Sequence, residues 1–209
     1  VAASIGRHQD LVSRLPDCGE YADKGMVRPI GRDVRDAFHE AVLERSIELP
    51  PEDLHVVYSP LNGTGNRPVR RMLASLPKLR VSVVAQQENP DGEFPTTPRP
   101  NPELPEAMEL SVQLTEELGA DICIATDPDC DRVGVGVRTP EGVKLLNGNQ
   151  VGALLFHFIC EGLRAEERLP EQPVAATTLV STPMADEIAR HYGVKLYKVL
   201  TGFKYIGDI

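Results

Sequence analysis

Six consecutive residues combine the chemical groups that are needed to hold a divalent cation. Residues 127–132 read Asp-Pro-Asp-Cys-Asp-Arg, with three carboxylates at alternate positions and a guanidinium directly behind them. Three negative charges this close repel one another unless a cation neutralises them. Alternate side chains on an extended chain point the same way, and a local curl lets all three converge. Carboxylate oxygens suit Mg²⁺ or Ca²⁺ better than zinc, so the segment predicts a metal site rather than an acidic surface turn.

Two other interpretations of this acidic loop fit its residues less well than a Mg²⁺ site. An EF-hand needs Gly at the sixth position and Glu at the twelfth, but Arg132 and Arg138 stand there. An aspartyl-phosphate hydrolase would use Asp127 as its nucleophile and would leave Asp131 and Arg132 without an evident role. A Mg²⁺ clamp fits better, because Arg132 can then hold a phosphate or sugar oxygen by a charge-assisted fork. A non-enzymatic acidic cation-binding domain is a further alternative.

Predicted strands and helices alternate along the chain and place the acidic loop between two strands. The strand over 121–126 leads into the loop, and a return strand over 133–138 leads out of it. Hydrophobic periodicity and turn residues predict the remaining elements: helices over 33–45, from Pro68, over 105–118, from Asn149 and after Thr182-Pro183, and strands over 54–58, 81–85, 174–180 and 194–199. Six prolines make 89–105 a loop. This order predicts an α/β fold, with a three-layer α/β/α domain built on a mixed, mostly parallel sheet.

A charged, proline-bounded stretch over 164–173 indicates a boundary between two domains. The first domain is predicted over 1–168 and the second over 169–209. Two strands and a helix cannot close a core of their own, so the second is expected to be an incomplete α/β domain. Its exposed apolar surface predicts a homodimer formed by strand addition or by a swap.

Composition excludes several classes of partner. The 209 residues have a net charge of −9, which argues against a nucleic-acid or anionic-membrane surface. The four cysteines show neither a C-x-x-C spacing nor a zinc pattern, as expected of a reduced cytoplasmic protein. No signal peptide is apparent, and the longest apolar run is far short of the ~20 residues that a membrane span needs.

Two short motifs are ambiguous when each is taken alone. Gly63-Thr64-Gly65 follows a predicted strand and precedes a helix. Such turns are usually structural, although amides at a helix N-terminus can also bind a phosphate. The segment Thr201-Gly202-Phe203-Lys204 offers a hydroxyl and an ammonium beside a turn. These groups could bind a sugar or a phosphate, or Lys204 could be an ordinary surface lysine.

Taken together, the motifs resemble the phosphoglucomutase/phosphomannomutase (α-D-phosphohexomutase) family. The metal loop of that family is matched by residues 127–132, and the Thr-Gly-Phe-Lys form over 201–204 is more similar to its phosphoglucomutase/phosphopentomutase branch. Matching segments in the same order and with similar spacing are Gly63-Thr64-Gly65, Pro90-Asp91-Gly92-Glu93-Phe94-Pro95, Asn101-Pro102-Glu103, Leu146-Asn147-Gly148-Asn149-Gln150 and Thr201-Gly202-Phe203-Lys204-Tyr205-Ile206-Gly207. The resemblance implies the second domain of a four-domain enzyme and the start of the third.

The resemblance also implies a function and a set of site residues. The family interconverts 1-phospho and 6-phospho sugars through a phosphoserine and a bisphosphate intermediate, and Mg²⁺ bridges the phosphoserine and the three aspartates. By motif match these are Asp127, Asp129 and Asp131. Arg132 would contact the phosphoserine or the hexose or pentose phosphate, Thr201 would contact the substrate, and Lys204 would contact the sugar or assist proton transfer. The chain has no Ser-His-Asn-Pro nucleophile segment, so it is expected to be a fragment without activity of its own.

Overall fold

The computed structural model describes residues 18–47 and 53–209, which fall into two compact units divided between Glu44 and Arg45. The described part of the first unit consists of helices α1 (Cys18–Asp23) and α2 (Arg32–Leu43). The second unit contains two sheets and the acidic loop. Throughout the described residues, none of the helices is both long enough and apolar enough to cross a membrane.

The larger sheet of the second unit has five strands in the order β2-β1-β3-β4-β5. The strands are β1 (Leu54–Ser59), β2 (Leu79–Val83), β3 (Ile122–Thr126), β4 (Val133–Thr139) and β5 (Gly142–Leu146). Strand β1 pairs in parallel with β2 and β3, whereas β4 is antiparallel to both β3 and β5. Four strands therefore run in one direction and β4 alone opposes them, which confirms the mixed, mostly parallel sheet.

Helices α3 (Asn66–Ala74) and α4 (Pro105–Leu118) connect the three parallel strands. Right-handed crossovers from β1 to β2 and from β2 back to β3 lead in opposite directions, so they place the two helices on opposite faces of the sheet. The core on the α4 side includes Val57, Cys123 and Met108, each of them at most 1% exposed. The fold is thus the expected three-layer α/β/α arrangement.

A smaller sheet of two parallel strands, β6 (Val174–Thr178) and β7 (Lys195–Val199), follows helix α5 (Gly148–Ala165). Helix α6 (Met184–Tyr192) connects the two strands, and a short helix α7 (Phe203–Gly207) comes after them. Cys160 of α5 packs with Ala189 and Tyr192 in a second hydrophobic cluster. The domain boundary predicted near residue 168 lies between α5 and β6 and stays a prediction.

The proline-rich segment 89–104 has no strand or α-helix, as predicted, and a buried amide fixes its position. The side chain of Gln87, 1% exposed, accepts a hydrogen bond from Ser59 Oγ and donates to the hydroxyls of Thr96 and Thr97. Because an unpaired buried amide would cost about 1–3 kcal/mol, this network ties the loop to the end of β1.

Several local predictions were wrong. Strand β5 was not predicted, and Pro68 is the third residue of α3 rather than its first. The cap of α5 is Asn147, whose side chain accepts from the Gln150 amide in a capping box, and not Asn149. Asn149 instead accepts a hydrogen bond from the backbone N–H of Thr182, so its side chain connects α5 to the segment between β6 and α6.

Candidate metal centre

The acidic loop joins β3 to β4, two neighbouring antiparallel strands, at the carboxyl end of β3. Thr126 and Val133 are paired across these strands, so the six residues 127–132 form a closed hairpin loop. Cys130 adopts a left-handed backbone conformation with a φ of 66°, and its N–H donates to the Asp127 carbonyl at 3.0 Å. This turn supplies the local curl that the sequence requires if alternate carboxylates are to converge.

The three aspartates of the loop do converge. One oxygen from each of Asp127, Asp129 and Asp131 lies within 4.8 Å of the others. Asp127 is buried, whereas Asp129 and Asp131 are exposed. One end of the cluster is therefore fixed within the protein and the other faces solvent. Three hard oxygen donors in this arrangement fit Mg²⁺, which takes a few carboxylates and completes its shell with water or phosphate oxygens.

The two oxygens of the Asp127 carboxylate have different partners. Oδ1 accepts hydrogen bonds from the backbone N–H groups of Asp131 and Arg132, at 3.0 and 2.9 Å. Oδ2 lies 3.7 Å from the Arg132 Nε. The first oxygen thus holds the loop closed, and the second remains available to a cation.

Arg132 is the positive group next to the cluster. Its Nε lies 3.7 Å from Asp127 and 3.8 Å from Asp131, and its side chain is 56% exposed. The guanidinium partly offsets the repulsion between the carboxylates. Its exposure leaves donors free to bind an anionic group that approaches from solvent.

The Gly63-Thr64-Gly65 turn lies against the acidic loop. The backbone N–H and the hydroxyl of Thr64 both donate to the Pro128 carbonyl, at 2.8 and 2.9 Å. The Thr64 amide is therefore engaged within the protein and not free for a phosphate. These contacts support a structural role for the turn.

Beneath the loop, a hydroxyl pair joins β1 to β3. Tyr58, fully buried, shares a 2.9 Å hydrogen bond with Thr126 Oγ1, one residue before Asp127. Burial raises the pKa of the Tyr58 phenol to about 12, so the hydroxyl stays protonated at physiological pH. Sequence reasoning did not identify either residue, although polar side chains at the ends of two buried strands were a usable signal.

Thr201 lies in the turn that follows β7, and Lys204 lies in helix α7 just beyond it. Both side chains are exposed, and the Lys204 Nζ lies 4.8 Å above the ring of Tyr205. Within residues 53–209, no hydrogen bond or ion pair joins either of them to the acidic loop. The structure therefore brings together four of the six predicted site residues and leaves these two in a separate group.

Histidines and cysteines form no competing metal site in the described part of the chain, where the aspartate cluster is the one group of candidate ligands. Cys123, Cys130 and Cys160 are free thiols. His157 bonds to Tyr192, and His55 bonds to Ser82 and Arg80. These contacts give His157 and His55 structural partners within the protein.

Sequence profiles of two domains of one protein family match successive segments of the chain. Residues 36–142 match the sequence profile of phosphoglucomutase/phosphomannomutase alpha/beta/alpha domain II, and residues 147–209 match that of domain III. A phosphoglucomutase of Staphylococcus epidermidis is 35% identical over 184 residues, covering 88% of this chain and 33% of that protein. A probable phosphomannomutase of Haemophilus influenzae is 36% identical over 180 residues, covering 84% and 36%.

A solved structure shows the same fold. The phosphoglucomutase/phosphomannomutase family protein of Burkholderia thailandensis superimposes with a TM-score of 0.66 at 22% identity, over 84% of this chain and 35% of that one. The chain thus spans about a third of the length of these relatives. On its sequence profiles and its relatives, the chain belongs to the phosphoglucomutase/phosphomannomutase family.

Proposed function

We propose that this chain is the metal-binding part of a phosphohexomutase, which interconverts 1-phospho and 6-phospho sugars such as those of glucose or mannose. The observation that supports this proposal most is the convergence of Asp127, Asp129 and Asp131 within 4.8 Å in a member of this family. Phosphoryl transfer depends on positioning and on neutralising the negative charge of the phosphoryl group. A divalent cation bound by the acidic loop would serve both purposes.

In this proposal Asp127, Asp129 and Asp131 hold Mg²⁺. The bound ion supplies positive charge that stabilises the transferred phosphoryl group without a protonation event. The chain's own contribution is to keep three carboxylates close together despite their repulsion. Asp127 does this through Oδ1, which accepts two backbone N–H bonds of the same loop.

Arg132 is proposed to bind the phosphoserine or the substrate phosphate. Its guanidinium is more than half exposed beside the carboxylates, so it can donate a two-pronged hydrogen bond to phosphate oxygens. In that position it orients the phosphate against the acidic loop.

Thr201 and Lys204 are proposed to bind the sugar phosphate, with Lys204 also able to assist proton transfer. They are exposed just beyond the carboxyl end of β7, and ligands of α/β sheets bind at that end of the strands. We place these residues in the second of two domains, which meet near residue 168. The substrate class is a hexose or pentose phosphate.

The phosphoryl donor in this proposal is a serine carried outside the 209 residues. None of the chain's serines lies in a Ser-His-Asn-Pro segment. The reaction then passes through a sugar bisphosphate that turns over and returns its other phosphate. We accordingly expect no mutase activity from the 209-residue chain alone.

Calorimetry with Mg²⁺ on the 209-residue chain tests the metal site. We expect weak binding by the unmodified chain, because the phosphoserine ligand is missing, and a loss of about tenfold or more in Asp129→Asn. Glu109→Gln on the exposed surface of α4 is the matched control, since it removes the same charge elsewhere. Unchanged binding in Asp129→Asn would place the ion at another site.

A second experiment separates this function from the phosphohydrolase that would use Asp127 as its nucleophile. Beryllofluoride mimics a phosphoryl group on a nucleophilic carboxylate. We expect no adduct on Asp127, because its Oδ1 already accepts two backbone hydrogen bonds and its Oδ2 is proposed to bind Mg²⁺. A beryllofluoride adduct on Asp127 would support the hydrolase and contradict the mutase.

A further inference from the structure

We propose that Thr64 is a positioning residue for the metal site, acting through the Pro128 carbonyl with Gly63 and Gly65 on either side. The inference rests on the proposed function, because it assigns a role to Thr64 in binding the ion held by the aspartates. Thr64 itself contacts none of the three carboxylates; its contact is with the backbone between the first and the second.

Thr64 saturates one backbone acceptor of the acidic loop. The Pro128 oxygen receives the Thr64 N–H at 2.8 Å and the Thr64 hydroxyl at 2.9 Å. A carbonyl oxygen has two lone pairs, so both are used. Proline has no N–H, and this carbonyl is therefore the single hydrogen-bonding group of its residue. The contact fixes the peptide unit between Pro128 and Asp129.

Gly63 allows this close approach. A Cβ at Gly63 would lie 2.4 Å from the Pro128 Cα, 2.7 Å from its oxygen and 2.9 Å from its carbonyl carbon. All three atoms belong to the backbone, which cannot move aside as a flexible side chain can. The glycine is required because the two loops are in contact, and Gly63 is not among the glycines with positive φ.

Gly65 makes the corresponding contact on the other side of Thr64. A Cβ there would lie 2.6 Å from the Tyr58 hydroxyl, 2.8 Å from Thr126 Oγ1 and 3.0 Å from Cys130 Sγ. The backbone φ of Gly65 is −64°, which any residue can adopt, so packing again accounts for the glycine. Gly63 thus lets the turn contact the acidic loop, and Gly65 lets it pack on the Tyr58–Thr126 hydroxyl pair beneath the loop.

The position of Pro128 matters because the carboxylates on each side of it differ in burial. Asp127 is fixed by two internal hydrogen bonds, whereas Asp129 is exposed. Releasing the Pro128 carbonyl would let the peptide before Asp129 rotate, and that carboxylate would spend less time near the other two. A weaker metal site follows without loss of the fold.

The test compares Thr64→Val, which keeps the amide bond and the side-chain shape, with Thr64→Ser, which keeps the hydroxyl. Mg²⁺ calorimetry on the 209-residue chain should give a dissociation constant about fivefold higher for Thr64→Val, in line with one lost hydrogen bond. Thr64→Ser should stay close to the unmodified value. Thr139→Val is the matched control: it removes a threonine bond to a backbone carbonyl, that of Gly142, at the far end of β4.

A second measurement needs no metal. Hydrogen exchange of the Asp131 and Arg132 amides, which bond to Asp127, should be faster in Thr64→Val and unchanged in Thr139→Val. Equal metal affinity and equal exchange in Thr64→Val and the unmodified chain would overturn the role of Thr64 and leave the metal site standing. Absence of Mg²⁺ binding by the unmodified chain would instead overturn the proposed site itself.

Discussion

The Asp127 carboxylate combines a structural role with the proposed metal-binding role in one side chain. Its Oδ1 accepts two backbone N–H bonds, and its Oδ2 faces Arg132. An amide of the same shape can still accept at Oδ1, whereas a methyl group cannot accept at all. The two roles are therefore separable by substitution.

Asp127→Asn should lose most Mg²⁺ binding while its unfolding free energy changes by less than about 1 kcal/mol. Asp127→Ala should lose the metal and also about 1–3 kcal/mol of stability, because two N–H groups lose their acceptor. Urea unfolding and calorimetry of both variants measure the two effects. Equal stability losses in both variants would show that the backbone bonds to Oδ1 contribute little.

Gly65 and Tyr58 offer a test of packing beneath the loop. Gly65→Ala should destabilise the chain by about 1–3 kcal/mol, as overpacking does, because the new Cβ meets the Tyr58 hydroxyl at 2.6 Å. Part of this loss should disappear when Tyr58→Phe removes that hydroxyl, and urea unfolding of the double-mutant cycle measures the coupling.

The matched control for this cycle is Gly92→Ala, since a Cβ at Gly92 meets nothing within 4 Å. It should change the unfolding free energy by no more than about 0.5 kcal/mol. Additive effects of Gly65→Ala and Tyr58→Phe would mean that the close contact relaxes elsewhere, at Thr126 or Cys130.

At the scale of elements, His55 of β1 links β2 and the residue before β3, at the end of the sheet opposite the acidic loop. Arg80 of β2 donates to His55 Nδ1 at 2.7 Å, so the ring is neutral and its Nε2 donates to Ser82. The His55 amide donates to Asp121 Oδ2, and Arg138 pairs with the same carboxylate. Burial, followed by the charge of Arg80, lowers the pKa of His55 below 6.5.

This lowered pKa predicts a pH dependence of stability. Because the folded state binds the proton more weakly than the unfolded state, His55 favours folding above pH 6.5, and this contribution is lost as the pH falls through 6.5 towards the folded pKa. The unfolding free energy should therefore decrease between pH 7 and pH 5. His55→Gln should flatten this dependence in urea titrations, while His191→Gln, on exposed α6 surface, should retain it.

The sequence predicted elements well where local signals were strong. Helix α4 begins at Pro105 and ends at Leu118, before Gly119 with its left-handed φ of 59°, and both limits were predicted. Its buried side is not purely apolar: Ser111 and Thr115 are buried although both are polar. The Thr115 hydroxyl donates to the Ser111 carbonyl, and periodicity of apolar residues does not reveal such a bond.

The candidate site was predictable only in part for a similar reason. The three aspartates and Arg132 are adjacent in sequence, so their spacing alone indicated a shared ligand. The contact of Thr64 with Pro128 joins residues 64 positions apart, and no local pattern encodes it. Strand β5 was missed because it begins within the turn-forming residues Pro140-Glu141-Gly142 and ends directly before Asn147, the cap of α5.

At the scale of the whole molecule, residues 174–209, which contain the smaller sheet, leave apolar surface exposed. The two strands of this sheet both have an unpaired edge within the described residues, and open edges invite pairing with another chain. Phe203 is 84% exposed, and Val180 and Leu179 are 77% and 61% exposed. The predicted homodimer would use this surface.

Light scattering over a range of concentrations tests self-association of the 209-residue chain. We expect an apparent mass that rises with concentration and a smaller rise in Phe203→Ser. Leu118→Ser on α4, where the native side chain is 44% exposed, is the control for a general change in surface polarity. A strict monomer whose residues 174–209 resist protease would contradict the dimer.

The close packing of β4 also constrains the length of the 127–132 hairpin that precedes it. Gly134 and Gly136 share one side of that strand, where a Cβ would strike the Pro102 oxygen at 2.4 Å and Cys123 Sγ at 2.7 Å. An inserted or deleted residue between Asp127 and Arg132 that slid β4 by one position would turn its valines towards those atoms. The length of this hairpin is therefore constrained by the packing of β4 as well as by the spacing of its three aspartates.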